Sequence, residues 1–197
     1  AKAMAASCIS NLKQINLGTI MYSGDFGDRI PFAKTQCDGG ATDAEKVSVI
    51  AKIYPYVNDA KAFDCPGSSS NGNCGNGGSI AHHNIPVAIA QGLLPDPFTL
   101  RYGFNEDALV WSRKATSYKR ASQTVICADS SGYLNMRRCA LSEYNVCDAP
   151  GGGCAAIDAG NVPENGIRHG SGSNVAFMDG HVAFSSAREA LTLNLAP

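Results

Sequence analysis

The chain has 197 residues, 44 % of them apolar and 17 % charged, with a formal net charge of -1. That length and composition suit one domain with a hydrophobic core and exclude an intrinsically disordered chain. The near-zero charge, with no block of basic residues, leaves no electrostatic footprint for DNA or RNA.

Residues 2–23 carry apolar side chains at spacings of three and four: Ala5, Ile9, Leu12, Ile15 or Asn16, and Ile20. This predicts one helix, about 33 Å long at 1.5 Å per residue, with Lys13, Gln14 and Asn16 on a more polar side and Gly24 ending it. Residues 44–60 predict a second, shorter helix that Pro55 breaks or ends. The stretch KAFDCPG, 61–67, reads as a short strand or extended piece, and a Gly/Ser/Asn loop follows it. Residues 85–94 are apolar and fit either a short helix or an extended segment. FTLRYGFNEDAL, 98–109, predicts a strand leading into a turn, and QTVICADSSGYL, 123–134, a strand and then a turn. Residues 139–160 read as a cysteine- and glycine-bearing loop. The end of the chain, 185–197, fits a last helical turn or a trailing edge segment. No internal repeat and no linker interrupts the sequence, so 1–197 is expected to be a single domain.

Residues 174–184, NVAFMDGHVAF, are two extended runs around Asp179-Gly180, a strong local hairpin signal. A two-residue type I′ turn is expected there, with positive φ at both central residues. Val175 and Phe177 would share one face, Ala176 and Met178 the other. His169, Asp179 and His181 have the composition of a metal site. Asp-Gly turns arise for plain turn reasons, however, and the favoured reading of the four histidines is hydrogen bonding to loop backbone. His82 and His83 read as an exposed loop pair. No GxSxG elbow and no rigid polar constellation is recognisable, so the chain is expected not to be an enzyme.

Eight cysteines, Cys8, Cys37, Cys65, Cys74, Cys127, Cys139, Cys147 and Cys154, are the strongest global signal. No CxxC pair occurs and the spacing does not suit a zinc knuckle. An even number, several within Gly-rich loops, predicts an exported domain stapled by at least three disulfides, with pairing open among the roughly 105 connectivities eight cysteines allow. No signal peptide or membrane-length apolar run is recognisable, and the chain opens inside a helical pattern. The expectation is that an N-terminal segment has been removed.

Six motifs occur in one order along nearly the whole chain. They are Cys8 with Asn11-Leu12-Lys13-Gln14-Ile15, Tyr54-Pro55-Tyr56, Cys65-Pro66, Tyr102-Gly103-Phe104-Asn105, Ala128-Asp129-Ser130, and His169 followed after nine residues by Asp179-Gly180. In this the chain resembles the type IV pilin-like, or pseudopilin-like, proteins of planctomycete, verrucomicrobial and lentisphaeral lineages, which carry a prepilin-type N-terminal cleavage and methylation motif. The cysteine-rich inserts at 37–74 and 139–154 depart from the family pattern.

The resemblance implies an α+β, type IV pilin-like fold. A long N-terminal helix, of which 2–23 would be the C-terminal half, packs on a small antiparallel sheet against Ile9, Leu12 and Ile20. It implies a structural subunit of a pilus-like filament or type II secretion pseudopilus. The partners would be like subunits, with inner-membrane anchoring through an apolar helical half before assembly, and the location extracytoplasmic. The alternative is an extracytoplasmic binding module for a surface polymer or solute, with Trp111, Tyr118, Tyr133 and Tyr144 as candidate contact aromatics. Cys65 is the first choice of partner for Cys8, closing the first loop region onto the helix. Asn11, Lys13 and Gln14 would at most tie the helix to loops. No cofactor is expected, and no zinc. Asp129, Asp148, Asp158 and Glu164 are the oxygen donors for a single calcium ion, if one binds.

Overall fold

A computed structural model of the chain describes residues 2–31, 49–67, 85–105, 113–129, 144–146, 155–157, 169 and 172–186. Helix α1 is Lys2–Asp25. It runs through Gly24, two residues past the expected end. Gly27 at φ 64° and Asp28 at φ 66° turn the chain into the left-handed region, and the Asp28 N–H reaches back to the Ser23 carbonyl at 2.7 Å. That is a Schellman-type end, for which glycine is suited because it carries no Cβ.

The buried stripe of α1 is Cys8, Leu12, Ile15, Asn16, Thr19 and Ser23. Ile20, expected in the core, is 42 % exposed. Small polar side chains face inward instead, each with an acceptor for its donor group. Thr19 Oγ1 donates to the Ile15 carbonyl, Ser23 Oγ to that of Ile20, and Asn16 Nδ2 to Phe177 O at 2.8 Å.

Helix α2 is Val49–Val57 and contains Pro55. The proline lies near the C-terminal end, where little helix remains for its missing N–H to disturb. The helix ends at Asn58, φ 50°, whose N–H bonds Tyr54 O. The two helices approach closely at Gly18, where an added Cβ would sit 2.7 Å from Val57 Cγ2. After α2 the chain forms a 3-10 turn, Ala60–Phe63, not the strand or extended piece expected. Asp59 caps it by accepting the Lys61 N–H at 2.9 Å. Phe63, Phe98 and Tyr54 pack with ring centroids 5.3–6.2 Å apart. Residues 85–94 resolve to a short helix α3, Ile85–Ala90, and a turn.

Strands β1 (Gly103–Phe104), β2 (Val125–Ala128), β5 (Gly172–Phe177) and β6 (Val182–Ser186) form an antiparallel sheet in the order β1-β2-β5-β6. The apolar run of β2 and all of β5 are buried, as their central places require. The β2–β5 register shifts at Ile126, a bulge, while from the end of β1 Asn105 donates its N–H to Ile126 O and its Nδ2 to Val125 O, both at 2.8 Å. Residues 139–160, expected as loop, contain a separate antiparallel pair, β3 (Tyr144–Val146) with β4 (Ala155–Ile157). Helix α1 packs on β2, β5 and β6 and on α2. The fold is therefore α+β, a long N-terminal helix laid on a four-stranded antiparallel sheet.

The hairpin is present, but its turn is not type I′. The Gly180 N–H bonds Phe177 O and the Phe177 N–H bonds His181 O, each at 3.0 Å, and only Gly180, φ 97°, is left-handed. This is a three-residue loop, Met178 to Gly180, of the type I plus G1-bulge kind. Asp179 keeps a negative φ because its carboxylate is fixed locally by the His181 backbone N–H at 3.2 Å and ring Nδ1 at 2.5 Å.

Asp28 fastens the end of α1 to residues 113–117. Its carboxylate accepts from Thr116 Oγ1 at 2.5 Å and Thr116 N at 3.2 Å, while its carbonyl accepts from Ala115 N. The Thr116 hydroxyl bond, then its backbone bond, hold the Asp28 carboxyl below its ordinary value. A depressed carboxyl stabilises the fold above the unfolded value of about 3.9 and loses that contribution as pH falls through the folded one. Asp28→Asn keeps a residue that tolerates positive φ. The melting-temperature gap between wild type and this variant should be constant from neutral pH to about 5 and shrink below about 4. A gap that stays flat down to acid unfolding would exclude the carboxylate as its source.

Candidate functional site

Four segments distant in sequence meet at one end of the sheet. Cys8 is the first buried residue of α1. Cys65 follows the 3-10 turn, Asp129 follows the last residue of β2, and His169 sits just ahead of β5. Asn11 braces the second of these, donating from Nδ2 to Asp64 O at 3.1 Å. The third is placed by the ladder, with the Asp129 N–H on Asn174 O at 3.0 Å. The fourth is placed by Gly172: the His169 N–H reaches Gly172 O at 3.4 Å, and a Cβ on Gly172 would lie 2.0 Å from Ser185 O. Only glycine lets the start of β5 lie so close to β6.

Cys8 and Cys65 are joined by a disulfide, Cα–Cα 5.5 Å, the pairing expected from Cys65-Pro66 closing the first loop region onto the helix. Cys65 Sγ lies 3.8 Å from His169 Nε2, which is 3.1 Å from Asp129 Oδ2. The same carboxylate oxygen accepts the Asn174 backbone N–H at 2.8 Å and its Nδ2 at 2.7 Å. The side chains of His169 and Asp129 are 3 % and 0 % exposed, so this polar pair is held out of water. Asp129 Oδ1 is buried too and has no hydrogen-bond partner among the described residues. One ligand atom from each of Cys8, Cys65, Asp129 and His169 lies within 4.8 Å of the other three.

This donor set corrects the expectation that calcium is the ion to consider. Calcium takes six to eight oxygens, whereas Asp129 faces sulfur and imidazole, a set of the zinc type. Asp148, Asp158 and Glu164 lie outside the described residues. The grouping of His169 with Asp179 and His181 is not formed either. Asp179 and His181 pair with each other at the exposed hairpin tip, where His181 also stacks on Phe177 at 4.3 Å, and His169 turns inward to Asp129. Partial burial pulls the Asp179 carboxyl up, and the bonds from His181 more than offset it, so it lies below its ordinary value.

Cys127, expected as a disulfide candidate, is a free thiol. It is fully buried in β2 among apolar side chains, and burial, then the Asp129 charge, push its pKa far up. A thiol so desolvated is a poor nucleophile. Cys37, Cys74, Cys139, Cys147 and Cys154 lie outside the described residues. In the motif at 11–14, Leu12 is core, Asn11 ties the helix to the 3-10 turn, and Lys13 and Gln14 are exposed. Of the four candidate contact aromatics, Tyr118 is buried, its hydroxyl pushed up to about 12 by that burial. The side chains of the other three lie outside the description.

Sequence reasoning placed Asp129 and His169 in separate roles and left Asn174 unremarked. The signal available was the polar residue inside an otherwise apolar strand. Asn174 and Asp129 are both central-sheet residues that burial obliges to find partners.

Comparison with protein-family models, with curated proteins and with solved structures finds no match to this chain. The class that fold and site define is an α+β domain. Its long N-terminal helix is pinned by a disulfide beside a buried Asp-His-Asn cluster.

Proposed function

We propose that the chain is a non-enzymatic structural subunit of a filament of the type IV pilus or secretion-pseudopilus kind, acting outside the cytoplasm. The observation that carries this reading is the attitude of α1. Residues 2–7 hold no buried side chain, so the first turns of the helix stand clear of the core. Further along, one face is buried on the sheet while Leu17, Ile20 and Met21, on the other side, are 42–56 % exposed. Apolar side chains exposed on the far side of such a helix offer surface that another molecule can bury. In a pilin-like assembly that surface meets the helices of neighbouring subunits. The motif order from Cys8 to Gly180 supports the same reading.

The test is made in the producing cell, with antibody against this domain. The chain should appear in the filament fraction sheared from the surface or in a membrane-bound pseudopilus. Leu17→Glu with Met21→Glu should remove it from that fraction while leaving the melting temperature of the isolated domain within a few degrees of wild type. Recovery of the wild-type chain only as free extracytoplasmic monomer would overturn the reading and favour a binding module.

A further inference from the structure

We propose that Cys8, Cys65, Asp129 and His169 form a redox-gated site for a divalent cation of zinc's class, closed by the disulfide when oxidised and by the metal when reduced. The argument does not depend on a filament role. It begins with the unexplained polar atoms. Core sites are apolar unless a polar group has partners, yet here an aspartate, an imidazole and two sulfurs share one buried pocket. The Asn174 bonds and His169 account for Asp129 Oδ2, and Oδ1 is left buried without a partner among the described residues. A cation held at Oδ2 beside His169 Nε2 would balance a buried carboxylate whose other oxygen has no partner among the described residues.

The separations measured from His169 lie close to those a tetrahedral ion sets. Bonds of about 2.3 Å to sulfur and 2.0–2.1 Å to nitrogen or oxygen place neighbouring ligand atoms roughly 3.3–3.8 Å apart. The Cys65–His169 separation is 3.8 Å and the His169–Asp129 separation 3.1 Å. All four ligand atoms already fall within 4.8 Å of one another. The set of two thiolates, one imidazole and one carboxylate is three-quarters sulfur and nitrogen, which selects zinc's class over calcium or magnesium. Asn174 would remain the group that orients the carboxylate, as outer-shell partners of metal ligands do.

The two closures exclude each other because they use the same sulfur electrons. A dithiol reductant donates two electrons and two protons to the Cys8–Cys65 bond. The S–S bond breaks, two thiols form, and the reductant leaves as its own disulfide. On metal binding each thiol releases its proton, and His169 ligates through the Nε2 lone pair with its proton on Nδ1. Oxidation reverses this by exchange with a disulfide oxidant: it takes the two electrons, and two protons from solvent, to leave as a dithiol, the Cys8–Cys65 bond forms, and the cation leaves. The compartment's redox poise thus decides which closure holds α1 to the sheet.

The experiment uses the intact chain, with Co2+ as the probe. Protein reduced with a phosphine, which becomes phosphine oxide at the expense of water, is titrated beside oxidised protein. Expected is one Co2+ per chain in the reduced form, with a thiolate-to-cobalt charge-transfer band and tetrahedral d–d bands, displaced by zinc and not by calcium. The oxidised form should bind at least 100-fold more weakly. His169→Gln and Asp129→Asn, each first shown folded in the oxidised form by circular dichroism, should weaken reduced-state binding at least about 10-fold, the loss seen even for outer-shell groups. Equal binding by oxidised and reduced protein, or no charge-transfer band, would overturn the proposal. So would reduced-state affinity untouched by both variants.

Discussion

Replacing Cys8 and Cys65 together by alanine should lower the folding stability of the oxidised protein by roughly 4 kcal/mol. The two cysteines are 57 residues apart, and the chain-entropy argument for a loop of that length gives about 4 kcal/mol at 25 °C. Most of that is a cost lifted from the unfolded chain, which the cross-link keeps from separating α1 from the segment after α2. Two further effects act on the folded side. Both sulfurs are fully buried, so alanine leaves a small void in the core. The first turns of α1 are then held by the packing of Leu12 and Ile15 and by the Asn11 bond to Asp64 O. Urea unfolding followed by far-ultraviolet circular dichroism measures the effect. A loss under about 1 kcal/mol would mean that α1 is fixed by packing alone. Reduced, metal-free wild type should fall by at least as much, because reduction opens this bond together with any other.

Asp129→Ala should be destabilising by roughly 3–5 kcal/mol, the range for removing one member of a buried, hydrogen-bonded polar pair. The carboxylate accepts two donors from Asn174 and faces His169. Alanine leaves those groups buried with nothing to bond, and the desolvation they underwent on folding is no longer offset. Asp129→Asn should cost less, because an amide oxygen still accepts from Asn174 while the charge facing His169 is lost. Comparison of the two variants by chemical denaturation therefore reads the value of the charge apart from that of the hydrogen bonds. Equal losses would mean that the hydrogen bonds from Asn174 contribute nothing and the charge accounts for the whole effect, and a loss under about 1 kcal/mol in the alanine variant would mean that water reaches the site.

The sequence by itself determined what is local. The three-and-four spacing of α1, the extended runs of β2 and β5 and the Asp-Gly signal at the hairpin are properties of neighbouring residues. Each element formed close to where its pattern lies. Where a local rule failed, a contact distant in sequence outweighed it. Asn16 is inside and Ile20 outside because Phe177 O lies opposite Asn16, and KAFDC coils into a 3-10 turn whose carbonyl at Asp64 Asn11 can reach. The turn at Asp179 departs from type I′ because the loop has three residues, Met178 to Gly180, within which the Asp179 carboxylate accepts the His181 N–H.

The site belongs wholly to the tertiary structure. Cys8, Cys65, Asp129 and His169 span 161 residues between the first and the last, and no spacing rule relates them. The partner of His169 was decided by strand order. β5 pairs with β2, which sets Asn174 against Asp129 and brings the turn ahead of β5 to the same end of the sheet, while Asp179 is carried to the opposite end of its strand. A histidine and an aspartate ten positions apart, one before and one after a six-residue strand, cannot meet, because the extended strand holds them roughly 20 Å apart at about 3.4 Å per residue.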